Sequence, residues 1–323
     1  MTTLANGRTF RPRPRARDGV IRGARLALPA GVAARYAARL VALVREMTKT
    51  VEREITDLFK HPDVQDYLAN FHVAHVTDAA ENPFKPTVEF WDGKFVVLAP
   101  LGWPAWAFDA ISPASQSRIL TNKLKERFEQ LFGMTAKDDA TKMVGEADAA
   151  SAANVSRSLR EISEDYKLSP SVLVDGEFAK AVIAQNVSLI KSIPEEYLTD
   201  VQGAVLRSIT DGRGLDDLTK YFAKQEGITE RRAYNIATDQ THKAYNGFNR
   251  ARMTGAGIRK FEWVHSGGGL HPRILHMDVL DGQIYAFDKL PVIDDRTGER
   301  GIPGQAVNCR CTMVPVIATG DDQ

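Results

Sequence analysis

Apolar residues recur at helical spacing early in the chain. The recurring positions are Tyr36, Leu40, Leu43, Met47, Val51, Ile55 and Leu58. Intervals of three and four residues predict one amphipathic helix from about Gly31 to Lys60. Packing of this stripe inside a helical bundle is the preferred interpretation. Because the stripe is about 35 Å long, a second hypothesis stays open, in which part of it is buried only against another protein as in a coiled coil.

The pattern changes between residues 61 and 113. Two runs rich in β-branched and aromatic residues, Thr87–Trp91 and Lys94–Leu98, flank the dipeptide Asp92-Gly93. Such a dipeptide suits a tight turn, so these runs predict a β-hairpin. We interpret the hairpin, near residues 85–100, as an insertion in a helical body that spans residues 29–175.

Further helices are predicted after this insertion. We expect Gly133 to end the first of them. Residues 148–158, rich in Ala, Ser and Asn, form either a helix with a small-residue face or a flexible joint. Pro194 suits the first turn of a new helix. Thr229 is expected to cap the start of a long helix that ends near Gly255.

Alternating apolar and polar positions appear in the last third of the chain. Residues 260–264 and 283–287 alternate, and residues 312–317 form a third strand-like run. These runs predict a small antiparallel sheet packed on the preceding helices. The predicted fold class is therefore α+β: a mainly helical N-terminal body with a β-hairpin insertion and a small C-terminal α+β domain.

Composition agrees with a folded chain. The 323 residues are 43% hydrophobic and 26% charged, which is typical of a globular protein. No apolar run approaches the roughly 20 residues that a membrane span needs. The N-terminus also lacks the apolar stretch of a secretory signal. We therefore expect no membrane partner and a cytoplasmic location.

Positive charge is concentrated in residues 1–28. This segment contains a single acid, Asp18, and seven arginines: Arg8, Arg11, Arg13, Arg15, Arg17, Arg22 and Arg25. Pro12 and Pro14 disfavour a helix, so an extended, solvated arm is predicted. Such an arm can lie along phosphates or an acidic protein groove. Alternatively, it is a disordered tail whose charge keeps it solvated.

Two cysteines, Cys309 and Cys311, are the only ones in the chain. With His271 and His276 they supply four ligands of the types that zinc prefers. Spacing argues against a zinc site, because thiols two residues apart on one strand point to the same face with little room between them. A disulfide between them would be strained. We expect free thiols that pack inside the protein, and no metal.

Several motifs in the last third form a distinctive set. They are Gly282-Gln283-Ile284-Tyr285, the run from Pro303 to Cys311 ending in Asn-Cys-Arg-Cys, and the helical segment Arg231 to Ala237 leading to Ala244-Tyr245-Asn246. The combination resembles the phage Mu F-like, or phage head morphogenesis, family of minor head proteins. The resemblance implies a terminal domain over residues 176–323. The positions matching the family motif, expected to be structural, are Asp281, Gly282, Pro303, Gly304, Asn308, Cys309, Arg310 and Cys311.

One helical segment departs from the family pattern. Where similar proteins have an Ala-Arg-Thr-Glu-like stretch, this chain reads Ala237-Thr238-Asp239-Gln240. A nuclease or transferase site built from His265, His276 and Asp281, with Arg310 as a phosphate clamp, is the alternative chemistry. It is incomplete, because Ser266 and three glycines stand where an acid is expected. We therefore expect no enzymatic activity.

The resemblance implies a role in the assembly of a virus particle. It predicts a minor head protein of a tailed phage or prophage that binds the portal protein and the major capsid or scaffold protein. Viral DNA is a further expected partner through the basic arm, and no cofactor is expected. The protein would be present in the host cytoplasm during assembly and then at the portal vertex of the head. The alternative hypothesis is a nucleic-acid-cleaving effector domain carried on a phage structural protein.

Overall fold

The computed structural model describes ten segments of the chain. They are residues 2–3, 9–10, 19–62, 64–65, 87–91, 94–98, 113–163, 176–211, 214–267 and 272–318. All structural statements below concern these segments.

Four long helices make up most of this structure. They are α1 (Ala30–Phe59), α2 (Pro113–Ile162), α3 (Gly176–Thr210) and α4 (Leu215–Gly255). The chain divides into two compact units. Unit 1 contains Met1–Leu40, Thr135–Leu189 and Tyr234–Gln323, and unit 2 contains Val41–Met134 and Ile190–Ala233. None of the helices in the described segments is long and apolar enough to cross a membrane.

The apolar stripe of α1 is buried within the chain along its whole length. The fully buried positions are Tyr36, Leu40, Val44, Met47, Val51, Ile55 and Phe59. Leu43 and Leu58 were predicted in the stripe, but they are only half-buried and their neighbours Val44 and Phe59 take their places. The helix itself is confirmed. The seven fully buried side chains are already covered within the chain, which contradicts the hypothesis that part of the stripe is buried only against another protein.

Helix α2 continues for 50 residues through Gly133, which was wrongly predicted to end it. A glycine inside a helix costs only about 1 kcal/mol relative to alanine. Burial of Phe132 and Ala136 on either side outweighs that cost. Residues 148–158 are helical, which excludes the flexible joint. Their small residues allow close approach, since Ser158 is buried and its hydroxyl donates to the Ala24 carbonyl at 2.8 Å.

Two other predicted helix boundaries are also wrong. Pro194 lies inside α3 rather than at the start of a helix. Thr229 lies inside α4, where its hydroxyl donates to the Gln225 carbonyl one turn earlier at 2.8 Å and does not cap a helix. The predicted end is confirmed: α4 stops at Gly255, and Gly257 takes a φ of +87°. Long buried faces therefore override single residues that are unfavourable in helices.

Three antiparallel sheets accompany the helices. Strands β1 (Thr2–Thr3) and β2 (Thr9–Phe10) pair with each other. The predicted hairpin is confirmed: β4 (Thr87–Trp91) pairs with β5 (Lys94–Leu98), with Trp91 opposite Lys94. The turn residues Asp92 and Gly93 are outside the described segments.

The third sheet belongs to unit 1 and has four strands in the order β3-β8-β6-β7. Its strands are β3 (Val20–Arg22), β6 (Lys260–Val264), β7 (Ile284–Ala286) and β8 (Thr312–Ala318). All pairs are antiparallel. Strands β6, β7 and β8 confirm the predicted α+β terminal part of the chain. Strand β3 was not predicted.

Strand β3 changes the interpretation of the basic arm. Residues 20–22 pair with β8, and Ile21 and Leu26 are buried in the core. Arg22 forms an ion pair with Glu262 at 2.5 Å, and Arg25 donates to the Thr312 hydroxyl at 2.8 Å. The end of the predicted arm is therefore part of the folded unit, with the Arg22 and Arg25 side chains at its surface. The other five arginines, Arg8, Arg11, Arg13, Arg15 and Arg17, are outside the described segments.

The core of unit 1 draws on distant parts of the sequence. Phe261 and Trp263 of β6 share it with Ile21, with Leu159 near the end of α2, and with Met313 of β8. A fragment beginning at residue 176 would lack Ile21 and Leu159. Any functional test of the terminal part should therefore use the full chain.

Candidate functional site

A short π-helix, Leu275–Leu280, carries the central residue of the candidate site. The wider turn of a π-helix is often found at functional sites. Here it turns His276 and Leu280 inward, whereas Ile274, Met277 and Val279 are exposed. His276 is thus held in the core of unit 1 by the element that carries it.

Both ring nitrogens of His276 have partners. Nε2 lies 2.9 Å from the carbonyl oxygen of Ile293. Since a carbonyl only accepts, Nε2 carries a hydrogen, and in the neutral ring Nδ1 then has a lone pair. Nδ1 lies 3.4 Å from Sγ of Cys309 and 3.8 Å from Sγ of Cys311. The Trp263 and His276 rings pack edge to face, with their centroids 5.1 Å apart.

The loop before β8 brings both thiols to this histidine. Asn308 has a left-handed φ of +57°, and its backbone N–H donates to Oδ1 of Asp239 at 2.6 Å. Lys243 pairs with the other carboxylate oxygen of Asp239 at 2.7 Å. Cys309 therefore follows a turn and precedes the strand. The spacing argument against a shared site assumed that both thiols lie on one strand, and the structure contradicts that assumption.

The cluster has unusual acid–base properties. The hydrogen bond from Cys311, aided by His276 and opposed by burial, lowers the pKa of the Cys309 thiol. The hydrogen bond to Cys309 and burial both raise the pKa of Cys311. Burial lowers the pKa of His276, but hydrogen bonds to Cys309 and Ile293 outweigh it and leave that pKa raised. Both cysteines are free and buried.

The other candidate side chains have different hydrogen-bond partners. The backbone N–H of His265 donates to Oδ1 of Asp281 at 2.7 Å, and its ring accepts from the Gly267 N–H at 3.2 Å. Arg273 donates to the Val307 carbonyl at 3.0 Å, and Arg310 is exposed. The hydrogen bonds of the His276 ring therefore go to a carbonyl and two thiols, not to Asp281. His271 is outside the described segments.

Two glycines of the motif stand at turns. Gly282 has a φ of +72° and follows Asp281 in the turn before β7. Gly304, after Pro303, has a φ of +81°, and a side-chain carbon added there would lie 2.3 Å from Nδ2 of Asn246. Gly304 is therefore needed both for its backbone conformation and for its close approach to α4.

Gly304→Ala should destabilise the protein more than Gly298→Ala does. Both glycines have positive φ, which costs alanine roughly 1 kcal/mol. Only Gly304 has a neighbour that alanine would strike, which adds on the order of 1 kcal/mol or more. Urea unfolding of both variants measures the difference. Equal midpoints would contradict the close approach at Asn246.

A pocket of about 650 Å³ lies beside Asn246 in unit 1. Its polar lining includes Gln240, Lys243, Arg250 and Glu299. Within the part of the chain that the structure describes, the buried amide of Asn246 has no hydrogen-bond partner. The pocket can therefore accept a polar group that bonds to this amide.

Sequence reasoning missed two features that build the site. The bond from Asn308 to Asp239 joins positions 69 residues apart, and no local pattern shows it. Trp263 was placed on a strand, but its contact with His276, 13 positions later, is not shown by that strand pattern. Apolar and polar residues alternate along β6, and Phe261 and Trp263 are its buried positions. This alternation could have predicted that Trp263 faces the core.

Comparison with known proteins gives one family and one relative. Residues 199–314 match the family model described as "Phage Mu protein F like protein". An uncharacterized protein of Haemophilus influenzae is 32% identical over 220 residues, which is 66% of this chain and 45% of the relative. The chain thus spans less than half the length of that relative. No solved structure matches the chain. The family resemblance predicted for the last third is confirmed.

Proposed function

We propose that this chain, whose residues 199–314 carry the phage Mu protein F like region, is a minor head protein of a tailed phage or prophage. The observation that carries the proposal is the family match, which includes His276, Asp239 and both cysteines. It supports a role in head morphogenesis and an association with the virion. The finer parts of the proposal are a minor capsid role and a position at the portal vertex.

The proposed partners are the portal protein and the major capsid or scaffold protein. An exposed apolar surface supports a protein partner. We define the head-docking surface as Ile274, Met277, Val279 and Val307, of which Ile274 is 70% exposed and Val307 is 62% exposed. Arg273 joins the two segments through the Val307 carbonyl. Exposed apolar groups on a well-anchored element are typical of interaction sites.

Ile274→Asp with Val307→Asp should reduce incorporation into heads by at least tenfold, because charge on this surface opposes burial against a partner. Stability should change little, since both side chains are exposed. Complementation of a gene deletion, followed by mass spectrometry of purified heads, measures incorporation. Met134→Asp is the matched control, because Met134 is apolar and 76% exposed in unit 2. Normal incorporation of the double variant would refute this docking surface.

We propose that the protein is not an enzyme and that the arginines from Arg8 to Arg17 reach viral DNA. The contacts of His276 with a carbonyl and two thiols support the first statement. Because both ring nitrogens are already engaged, His276 is not available as a general base beside Asp281. The full-length protein incubated with DNA and RNA tests for cleavage. Degradation that His276→Ala abolishes would favour the effector hypothesis instead.

A further inference from the structure

We infer that His276, Cys309 and Cys311 form a zinc site. Their ligand atoms, Nδ1 and the two Sγ atoms, all lie within 4.8 Å of one another, and all three residues are buried. Two thiols and an imidazole are the ligand types that zinc takes in proteins. Three protein ligands leave one tetrahedral position, which a water molecule can fill.

The distances match a tetrahedral zinc. With Zn–S near 2.3 Å and Zn–N near 2.0 Å, sulfur and nitrogen ligands lie about 3.5 Å apart. The observed distances from Nδ1 are 3.4 Å to Cys309 and 3.8 Å to Cys311. Nδ1 has one lone pair and can accept from only one thiol. A central cation explains why both sulfurs converge on the same nitrogen.

The surroundings hold the histidine in the form that a metal requires. The hydrogen bond from Nε2 to the Ile293 carbonyl fixes the ring orientation and directs Nδ1, the nitrogen that would bind the metal, at the two thiols. Metal-binding histidines almost always donate their other ring hydrogen to such a partner. The Asn308 turn is bonded to Asp239, and both cysteines lie between this turn and β8, where their thiols converge on His276.

Zinc would join two segments that are far apart in the sequence. It would tie the π-helix at His276 to the loop before β8. Those segments also carry Ile274 and Val307 of the head-docking surface, so the ion would help to hold that surface in shape. This last consequence rests on the proposed head function, whereas metal binding itself does not.

Metal analysis of the purified full-length protein tests the inference. Protein prepared with zinc and without chelator should contain about one zinc per chain. Cys309→Ser, Cys311→Ser and His276→Ala should each remove most of it. His265→Ala is the matched control and should retain the zinc, since the ring of His265 bonds to Gly267 instead. Circular dichroism shows whether each variant is folded.

Cobalt titration tests the same inference on the wild-type protein, so it does not depend on whether a variant folds. Cobalt(II) added to the metal-free wild-type protein should give thiolate charge-transfer absorption and the intense visible bands of tetrahedral coordination, saturating near one equivalent. A zinc-free protein that gives no such bands would overturn the inference. It would show that a thiol-to-thiol-to-imidazole hydrogen-bond chain holds the cluster. Zinc retained by the Cys309→Ser and His276→Ala variants would overturn it equally. Both readouts are independent of head assembly.

Discussion

Val51→Asp should prevent the chain from folding. Val51 is fully buried in the stripe of α1, and a carboxylate there has no partner of opposite charge among the apolar positions of that stripe. Burying an unpaired charge and losing the apolar contacts together cost on the order of 5 kcal/mol or more. That is comparable to the whole stability of many proteins. Soluble yield and far-ultraviolet circular dichroism measure the effect.

Ala42→Asp is the control for this variant. It introduces the same side chain into the same helix at an exposed position, where the change should stay within about 1 kcal/mol. A folded Val51→Asp protein that only failed to enter heads would show that the stripe contacts a partner. The burial of all seven stripe positions argues for the folding defect.

Trp263→Ala should destabilise unit 1 by about 3 to 5 kcal/mol, since it empties the space of a large core side chain. Trp263 is fully buried in the middle of β6, opposite Met313 of β8 and against the ring of His276. Because the loss falls beside the candidate site, the thiols should also become accessible. Urea denaturation and the rate of thiol labelling measure the two effects.

Trp263→Phe separates size from aromatic packing. The phenylalanine keeps an aromatic ring at this position, so it should lower the free energy of unfolding by roughly half or less of the loss caused by alanine. If the alanine variant were as stable as the wild type, with unchanged labelling, the core position of Trp263 would be contradicted.

The spacing of apolar residues was sufficient to predict a helix that buries the same face along its whole length. Helix α1 was predicted from Gly31 to Lys60 and spans Ala30–Phe59. It was predictable because a single stripe is buried from end to end. Gly133 and Pro194 were misread as boundaries because their local preferences are weaker than the packing of the long helices around them. Strand β3 gave no signal, since Val20 to Arg22 form a strand only by pairing with β8.

The composition of the site was predictable, but its geometry was not. His276, Cys309 and Cys311 were recognised as one set of zinc-type ligands from residue type alone. Their convergence depends on the left-handed turn at Asn308 and on Asp239, 69 positions away. Neither feature leaves a local pattern. The spacing of the two cysteines alone therefore argued against a shared site, because it carried no information about this turn.

The pairing of β3 with β8 also sets the timing of folding during synthesis. Arg25 and its partner Thr312 are 287 positions apart. At roughly 5 to 20 residues per second, the ribosome needs about 15 to 60 s to make the intervening chain. Until β8 emerges, Ile21 and Leu26 lack part of their core, and β6 has an unpaired edge that invites aggregation. The four-stranded sheet can therefore close only after β8 has been synthesised.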